Sequence, residues 1–334
     1  MAKHTFNIYK LHFTSPIHLG DDRDDYGVSL KTIASDTIYA ALISCLAKLG
    51  EEIPKDGDLG CTISSLFPFY QKEKEDKNTV LFFPKPLKQT LPKSEEVVIE
   101  RKKIKKVAWL DAEYFSKILQ GEQLFIPETI KGSAIQGEYM TNVPINKDFI
   151  TSQVSPRVTV SRDYSEDAKP FYMDRIAFKD YSGLYFIADG DVSLLDKALI
   201  LLQHEGVGTD RNVGNGYFEY EPDTVELDIP DSSDYAVSLS SFLPESKEQL
   251  QSMLESDEVA YDFQRRGGWI TTPPNNTLRK NVIYAFTAAS VFKRQSNGVE
   301  TLGQVGIDLK PNLPMVTHPI WRCGRALFLP IKVN

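Results

Sequence analysis

Residues 191–227 read DVSLLDKALILLQHEGVGTDRNVGNGYFEYEPDTVEL, and the whole expected architecture can be built outward from them. Asp191 opens a helix over VSLLDKALILLQHE, whose apolar residues cluster on one side. A glycine-rich stretch, Gly206 to Gly216, ends that helix, and YFEYEPDTVEL (217–227) has the alternation of a returning strand. Just upstream, SGLYFIA (182–188) is a short apolar strand. At the other end, TFNIYKLHFT (5–14) reads as a first strand, and TIYAALISCLAKL as a helix capped by Ser35-Asp36 and stopped at Gly50. In between lie LFFPKPLK (81–88), whose two prolines mark an edge or an extended connection, and a helix over DAEYFSKIL. A hairpin or extended arm is expected over RVTVSRDYSEDA (157–168). The order from Thr5 to Leu227 is therefore strand, helix, an elaborated middle with at least two strands, helix, strand. That is the βαββαβ order of a ferredoxin-like (RRM-like) domain with large insertions.

The acidic, proline-containing stretch 221–234 is the expected boundary, giving domains at 1–228 and 233–334. Beyond it come YAVSLSSFL (strand), KEQLQSMLES (helix), VAYDFQRRGGWI and NVIYAFTAASVF (strands) and WRCGRALFLPI (strand), a smaller, degraded copy of the same fold. The expected fold class is α+β, and 334 residues suit two domains.

Cys45, Cys61 and Cys323 form no CxxC and no Cys/His cluster, so neither a disulfide framework nor a structural zinc is expected. The N-terminal MAKHTFNIYKLHF lacks the apolar run of a signal peptide, and no window approaches a membrane span, so the expected location is cytoplasmic, with no membrane partner. No paired-carboxylate or His-Asp arrangement suggests a metal nuclease, and no cofactor or small-molecule substrate is expected. The net charge is −8, which by itself argues against nucleic acid. Residues 221–262, however, hold twelve Asp/Glu against a single Lys, a local −11, so the remainder carries +3. That remainder has room for a basic groove, while indiscriminate electrostatic binding of RNA is disfavoured.

Four residues of the loop, Gly206, Gly208, Gly214 and Gly216, permit positive φ and close approach of backbone N–H groups to anionic oxygens. Arg211, with Asn212 beside it, adds a forked donor for phosphate. The loop lacks the GK[ST] ending of a Walker A motif and follows a helix, so it is neither that motif nor a dinucleotide fingerprint. The alternative is a plain flexible turn. Lys131, Gly132 and Ser133 at a helix start suit a phosphate or a simple cap. Arg157 and Arg162 alternate with β-branched residues and are expected on one strand face, along RNA or in surface salt bridges. The run RKKIKK (101–106) is a solvated surface or an RNA contact, and Arg265-Arg266-Gly267-Gly268 is a second basic spot suited to RNA or a neighbouring subunit. Tyr164, Tyr217 and Trp269 are available for base stacking or for ordinary packing.

The pattern GxGxxRxxGxG between a helix and an aromatic-led strand resembles the signature loop of the repeat-associated mysterious protein (RAMP) superfamily. SPIHLG (15–20), SDTIYAAL (35–42), FIPETIKGSA (125–134), the arm PRVTVSRDYSEDAKPFY, RRGGWI, GIDLKP and HPIWRCGRALFLPI follow in the order of one subgroup. Together they resemble the family of the fourth subunit of the type III-A CRISPR (Csm) effectors, over the whole chain. KGSAIQGEY departs from the pattern, lacking the Arg that often follows on that helix, which leaves the contact of Lys131 open.

The resemblance implies two ferredoxin-like domains and a non-catalytic subunit that caps the crRNA filament. It implies that this subunit holds the repeat-derived 5′ tag and bridges the large polymerase-like subunit to the RAMP backbone subunits. His18, within SPIHLG, joins the loop, Lys131–Ser133 and the arm arginines in the expected RNA-binding set. The rival class is a metal-independent endoribonuclease of the same superfamily, which needs a general base and acid to cut repeat RNA. The histidines are His4, His12, His18, His204 and His318, of which His18 is nearest to a catalytic position. A third alternative is an interaction module without RNA contact, against which the placement of the glycine-rich loop argues.

Overall fold

The computed structural model describes residues 2–20, 26–76, 78–88, 101–124, 134–161, 167–294 and 303–333. The first half supplies strands β1 (Ala2–Phe13), β2 (Cys61–Ile63), β3 (Phe67–Tyr70), β4 (Val80–Pro84), β5 (Trp109–Asp111), β6 (Ile135–Gln136), β7 (Tyr139–Met140), β8 (Ile150–Thr159), β9 (Lys169–Phe178), β10 (Gly183–Gly190) and β11 (Phe218–Ile229). Its helices are α1 (Ser35–Leu49), α2 (Arg101–Lys106), α3 (Ala112–Leu119) and α4 (Ser193–Glu205). The second half has β12 (Tyr235–Ser238), α5 (Lys247–Leu254), β13 (Phe263–Arg266), β14 (Ile283–Phe286), β15 (Val291–Lys293), β16 (Ile307–Asp308), β17 (Trp321–Arg322) and β18 (Phe328–Pro330). The fold is α+β.

The main sheet runs β11-β1-β10-β3-β4-β5-β7-β6, with β2 also pairing β10. Its centre is antiparallel, with Ile8 opposite Ile187 and Leu11 opposite Tyr220. Alternation along β1 and β10 splits the core into two layers, as period-two side chains must. Tyr9, Leu11, Leu184 and Phe186 meet the apolar stripe of α1 and α4, including Ile38, Leu42, Leu199 and Leu202. Ile8, Tyr185 and Ile187 face the opposite way, into a layer shared with Phe115 of α3 and with Val237, Val291 and Leu329 of the second half. The second half's own sheet is β15-β12-β18, antiparallel throughout. Because one apolar layer is built from both halves, they are packed together and not merely tethered.

Three sequence expectations change. LFFPKPLK is not an edge: β4 lies between β3 and β5, with Leu81 opposite Phe69 and Phe83 opposite Leu110. Pro84 is the last residue of the strand and Pro86 lies beyond it, so the prolines leave the donors of Val80–Phe83 intact. Ser35-Asp36 does not cap α1; Ala34 holds the N-cap position and no side chain caps the helix. Instead Ser35 Oγ accepts a hydrogen bond from the Ser241 N–H at 2.8 Å, and Asp36 turns toward two arginines. NVIYAFTAASVF is not one strand either. It divides into β14, paired to β13, and β15, paired to β12, with Ala289 at φ 72° turning the chain between them.

The arm is a two-stranded ribbon in which β8 and β9 pair from Ile150–Phe178 out to Thr159–Lys169. At about 3.4 Å per residue, ten pairs span roughly 34 Å. Its root is fastened to the segment leaving β1 by reciprocal bonds between Ile17 and Ile176, at 2.9 and 2.8 Å. Outer residues such as Val154, Val158 and Tyr172 are exposed.

Candidate nucleic-acid interface

Helix α4 stops where the Gly206 N–H returns to the Leu202 carbonyl at 2.8 Å. The loop then crosses itself. The Val207 N–H donates to the Gly216 carbonyl at 3.0 Å, and the Gly216 N–H donates to the Pro16 carbonyl at 2.9 Å. A Cβ on Gly216 would lie 1.9 Å from the Val207 carbonyl oxygen, so only glycine closes this crossing. One on Gly208 would lie 2.5 Å from the His18 carbonyl oxygen, which also accepts from the Thr209 N–H at 2.9 Å. The loop is thus stitched onto residues 16–18 and is no free turn. At its outer end Arg211–Val213 form a single 3-10 turn, held by a Tyr217 Oη bond of 3.1 Å to the Arg211 carbonyl.

This stitching builds one wall of a groove of 880 Å³. Gly208, Arg211, Asn212 and Tyr217 line it from the loop, and Arg265 through Thr271 line it from the second half. His18, Tyr26 and Arg322 also line it. An adjoining hollow of 1470 Å³ shares Arg211, Arg266, Trp269 and Arg322 and adds Lys280. Four arginines, at 211, 265, 266 and 322, line the groove against the carboxylates of Glu205 and Asp210. Glu205 is already paired with Lys48 at 2.6 Å. Among the described residues no carboxylate pairs with Arg211 or Arg265, and the nearest partner of the Arg211 guanidinium is the Gly206 carbonyl at 3.5 Å. Despite the −8 total, the groove is locally basic.

Behind the groove, Asp36 is buried and accepts from Arg266 at 3.0 Å through Nε and 2.9 Å through Nη2. Arg322 Nε stands 3.5 Å from the same carboxylate. The ring of Trp269 is covered by the Arg279 guanidinium, 4.8 Å from its centroid.

Among the expected site residues, Gly208, Arg211, Asn212 and His18 converge on the groove. Gly206 and Gly216 lie beneath as the closure of the loop, and Gly214 stands exposed at its tip. His18 is 1% exposed, its Nδ1 within 2.7 Å of the Asp174 carbonyl and its ring stacked on Tyr26. Arg157 belongs to the arm, opposite Phe171, and is not part of the groove wall. Strand β8 ends at Thr159, so it does not carry Arg157 and Arg162 on one face. Arg162, Tyr164, Lys131, Gly132 and Ser133 lie outside the described residues. RKKIKK forms α2, anchored by buried Ile104, with Lys103, Lys105 and Lys106 exposed.

Sequence reasoning missed Asp36, Arg322 and Lys280. A serine–aspartate pair ahead of an apolar run has the signature of a cap, and that signature concealed the ion pair. Nothing in TLRKNVI marks Lys280 as buried. His12, another candidate base, is buried in the sheet with Nε2 3.3 Å from Glu221, and burial lowers its pKa from the ordinary value. Among the described residues no group of three or more His, Cys, Asp or Glu is placed to hold a metal ion, and no helix is long and apolar enough to cross a membrane.

The family described as the CRISPR Csm4 C-terminal domain matches residues 231–331. The "CRISPR system Cms protein Csm4" of Thermococcus onnurineus (strain NA1) is 25% identical over 303 residues, covering 86% of this chain and 90% of that protein. The protein of the same description from Streptococcus thermophilus is 24% identical over 341 residues, covering 98% and 100%. In fold, the chain resembles one from a crystal structure of a Csm3-Csm4 subcomplex of the type III-A CRISPR-Cas interference complex, with TM-score 0.62, 18% identity and coverage of 98% and 100%. It also resembles one from a Csm1-Csm4 cassette in complex with cA4, with TM-score 0.57, 19% identity and coverage of 99% of each chain. Residues 231–331 thus carry the pattern of the Csm4 C-terminal domain. Over most of its length the chain is similar to Csm4 proteins, the family that the order of its motifs resembles.

Proposed function

We propose that this chain is a non-catalytic crRNA-binding subunit of a cytoplasmic type III-A interference complex. In this reading it holds the repeat-derived 5′ tag of the guide and bridges the large polymerase-like subunit to the RAMP backbone subunits. The order β11-β1-β10-β3 matches the four strands of a ferredoxin-like domain, and β18-β12-β15 matches three strands of a second. The proposed domains are accordingly 1–228 and 233–334. The observation that carries the RNA reading is the groove in which the glycine-rich loop and the Arg265–Trp269 segment face each other, with Arg211 and Arg265 free of carboxylates among the described residues. Phosphate contacts of this kind position a strand without reading its bases. The arm arginines and Lys131–Ser133 complete the proposed RNA-binding set, and His18 acts from beneath by holding the loop.

The test is purification of the tagged chain from its source cell, followed by sequencing of the bound RNA. Guides bearing a common repeat-derived 5′ end are expected, together with the large subunit and a backbone subunit. Recovery of the chain without RNA and without those partners would reject the proposal. Labelled repeat RNA incubated with the isolated chain in chelator is expected to stay intact. Cleavage abolished by His18→Ala would favour the endoribonuclease reading instead.

A further inference from the structure

We propose that the hollow between α1, β13 and β17 seats one phosphate group of the bound RNA, with Lys280 as its floor and Arg266 and Arg322 as its sides. This rests on the RNA-binding reading of the groove and goes beyond it by naming where one phosphate is engulfed.

Two arginines pair with one carboxylate here, and a lysine stands beside them. Asp36 pairs with Arg266 at 2.9 Å and with Arg322 at 3.5 Å and so neutralises one positive charge, leaving a surplus. Lys280 adds a third cation. The residue is 8% exposed, its ammonium makes no hydrogen bond or ion pair among the described residues, and it lines the hollow. A lysine whose stem is buried and whose ammonium opens only onto a confined hollow loses much of its hydration, and an anion in the hollow completes the site. The stem lies under Gly268, where a Cβ would come within 3.8 Å of Lys280 Cε. The backbone bond from the Lys280 N–H to the Gly268 carbonyl, at 3.0 Å, fixes it there.

Burial, then the charge of Arg322, lowers the Lys280 pKa to about 7, with Asp36 opposing and Arg266 adding to the fall. The groups acting on the amine thus come from α1 (Asp36), β13 (Arg266) and β17 (Arg322). An entering phosphate stabilises the ammonium, so binding is coupled to proton uptake near neutral pH. Arg266, Arg322 and Trp269 line both the hollow and the groove, so a strand in the groove reaches the seat without a break.

The experiment uses the full chain and a 3′-fluorescein single-stranded RNA, read by anisotropy at low ionic strength. Wild type, Lys280→Met and Arg211→Ala are compared at about pH 6 and about pH 8.5, either side of the Lys280 transition. Lys280→Met keeps the aliphatic stem, and melting curves verify its fold. Loss of one charged contact is expected to weaken binding about tenfold at the lower pH. The pH dependence of wild-type binding should flatten in the variant. A scan of RNAs carrying single neutral methylphosphonate linkages leaves the protein untouched. It should find one linkage whose neutralisation weakens wild type but not Lys280→Met. Lys280→Met binding like wild type while Arg211→Ala is weakened overturns the seat and spares the groove. Both variants binding like wild type overturns both. Inorganic phosphate raising the melting temperature of wild type but not of Lys280→Met, with RNA binding unchanged, assigns the seat to free phosphate and overturns the RNA assignment.

Discussion

Asp36, in the first turn of α1, and Arg266, at the end of β13, form a buried ion pair at 2.9 Å across 230 residues of chain. The same carboxylate receives Ser241 Oγ at 3.3 Å and faces Arg322 at 3.5 Å. One side chain of the first half therefore positions the basic wall supplied by the second half.

Asp36→Asn should loosen that wall. Removing one partner of a buried pair leaves the other uncompensated and costs about 3–5 kcal/mol. Urea unfolding followed by circular dichroism measures it. A loss below about 1 kcal/mol would mean that apolar packing alone joins the halves.

Substitutions in the glycine-rich loop should divide sharply by position. Gly216→Ala forces a methyl group onto the Val207 carbonyl and should leave little folded protein. Gly214→Ala meets nothing within 4 Å, but its φ of 92° still costs about 1–3 kcal/mol. Expression yield and melting temperature separate the two. Equal tolerance at both positions would contradict the crossed-loop geometry.

Arg211→Ala should leave stability within about 0.5 kcal/mol of wild type, since among the described residues the guanidinium makes one long bond. RNA binding should weaken by about 1.5–3 kcal/mol, similarly for unrelated sequences. The slope of log affinity against log salt should fall by about 0.7. Sequence-dependent losses would show that Arg211 reads bases.

Stability should carry the imprint of Lys280. Its pKa is about 7 in the fold and about 10.4 when unfolded, so the unfolded chain binds more protons between those values. The cost of burying the lysine is full below about pH 7 and fades toward about pH 10, so its contribution favours folding as pH rises through that window. Lys280→Met should lack this rise. Denaturation of both proteins across the window gives the difference directly, and parallel curves would show that the amine is solvated.

The three thiols should be silent in the folded chain. Burial pushes Cys45 up to about 11, Cys61 to about 12 and Cys323 to about 11. An aromatic disulfide reagent at about pH 8 should react only after denaturant is added, because thiolate is the reactive form. Rapid reaction of any thiol in native buffer would place it at the surface.

Much of this was legible in the residues, because period-two and period-3.6 patterns report local structure. The strand at Thr5–Thr14, the helices α3 and α4 and the return at Phe218 all follow from such patterns. Arg211, Asn212 and Gly208 were readable as a loop with close backbone approach. The second wall was only half readable. RRGGWI has the composition of a binding spot, yet its partners Asp36 and Lys280 are brought there by tertiary pairing, which leaves no periodic trace. Prolines mislead at Val80–Pro84, where they mark the end of the strand and not its place in the sheet.

The arm and the loop stand on one footing. Ile17 clasps Ile176 at the root of the arm, and the next residue, His18, holds the Asp174 carbonyl with its ring and Thr209 with its own carbonyl. Two adjacent residues thus form a fulcrum between a lever of roughly 34 Å and the rim of the groove. A displacement of the outer pairs of the ribbon is carried to Ile17 and His18, the same two residues against which the glycine-rich loop is bonded. Rim and lever therefore share one hinge point in the chain.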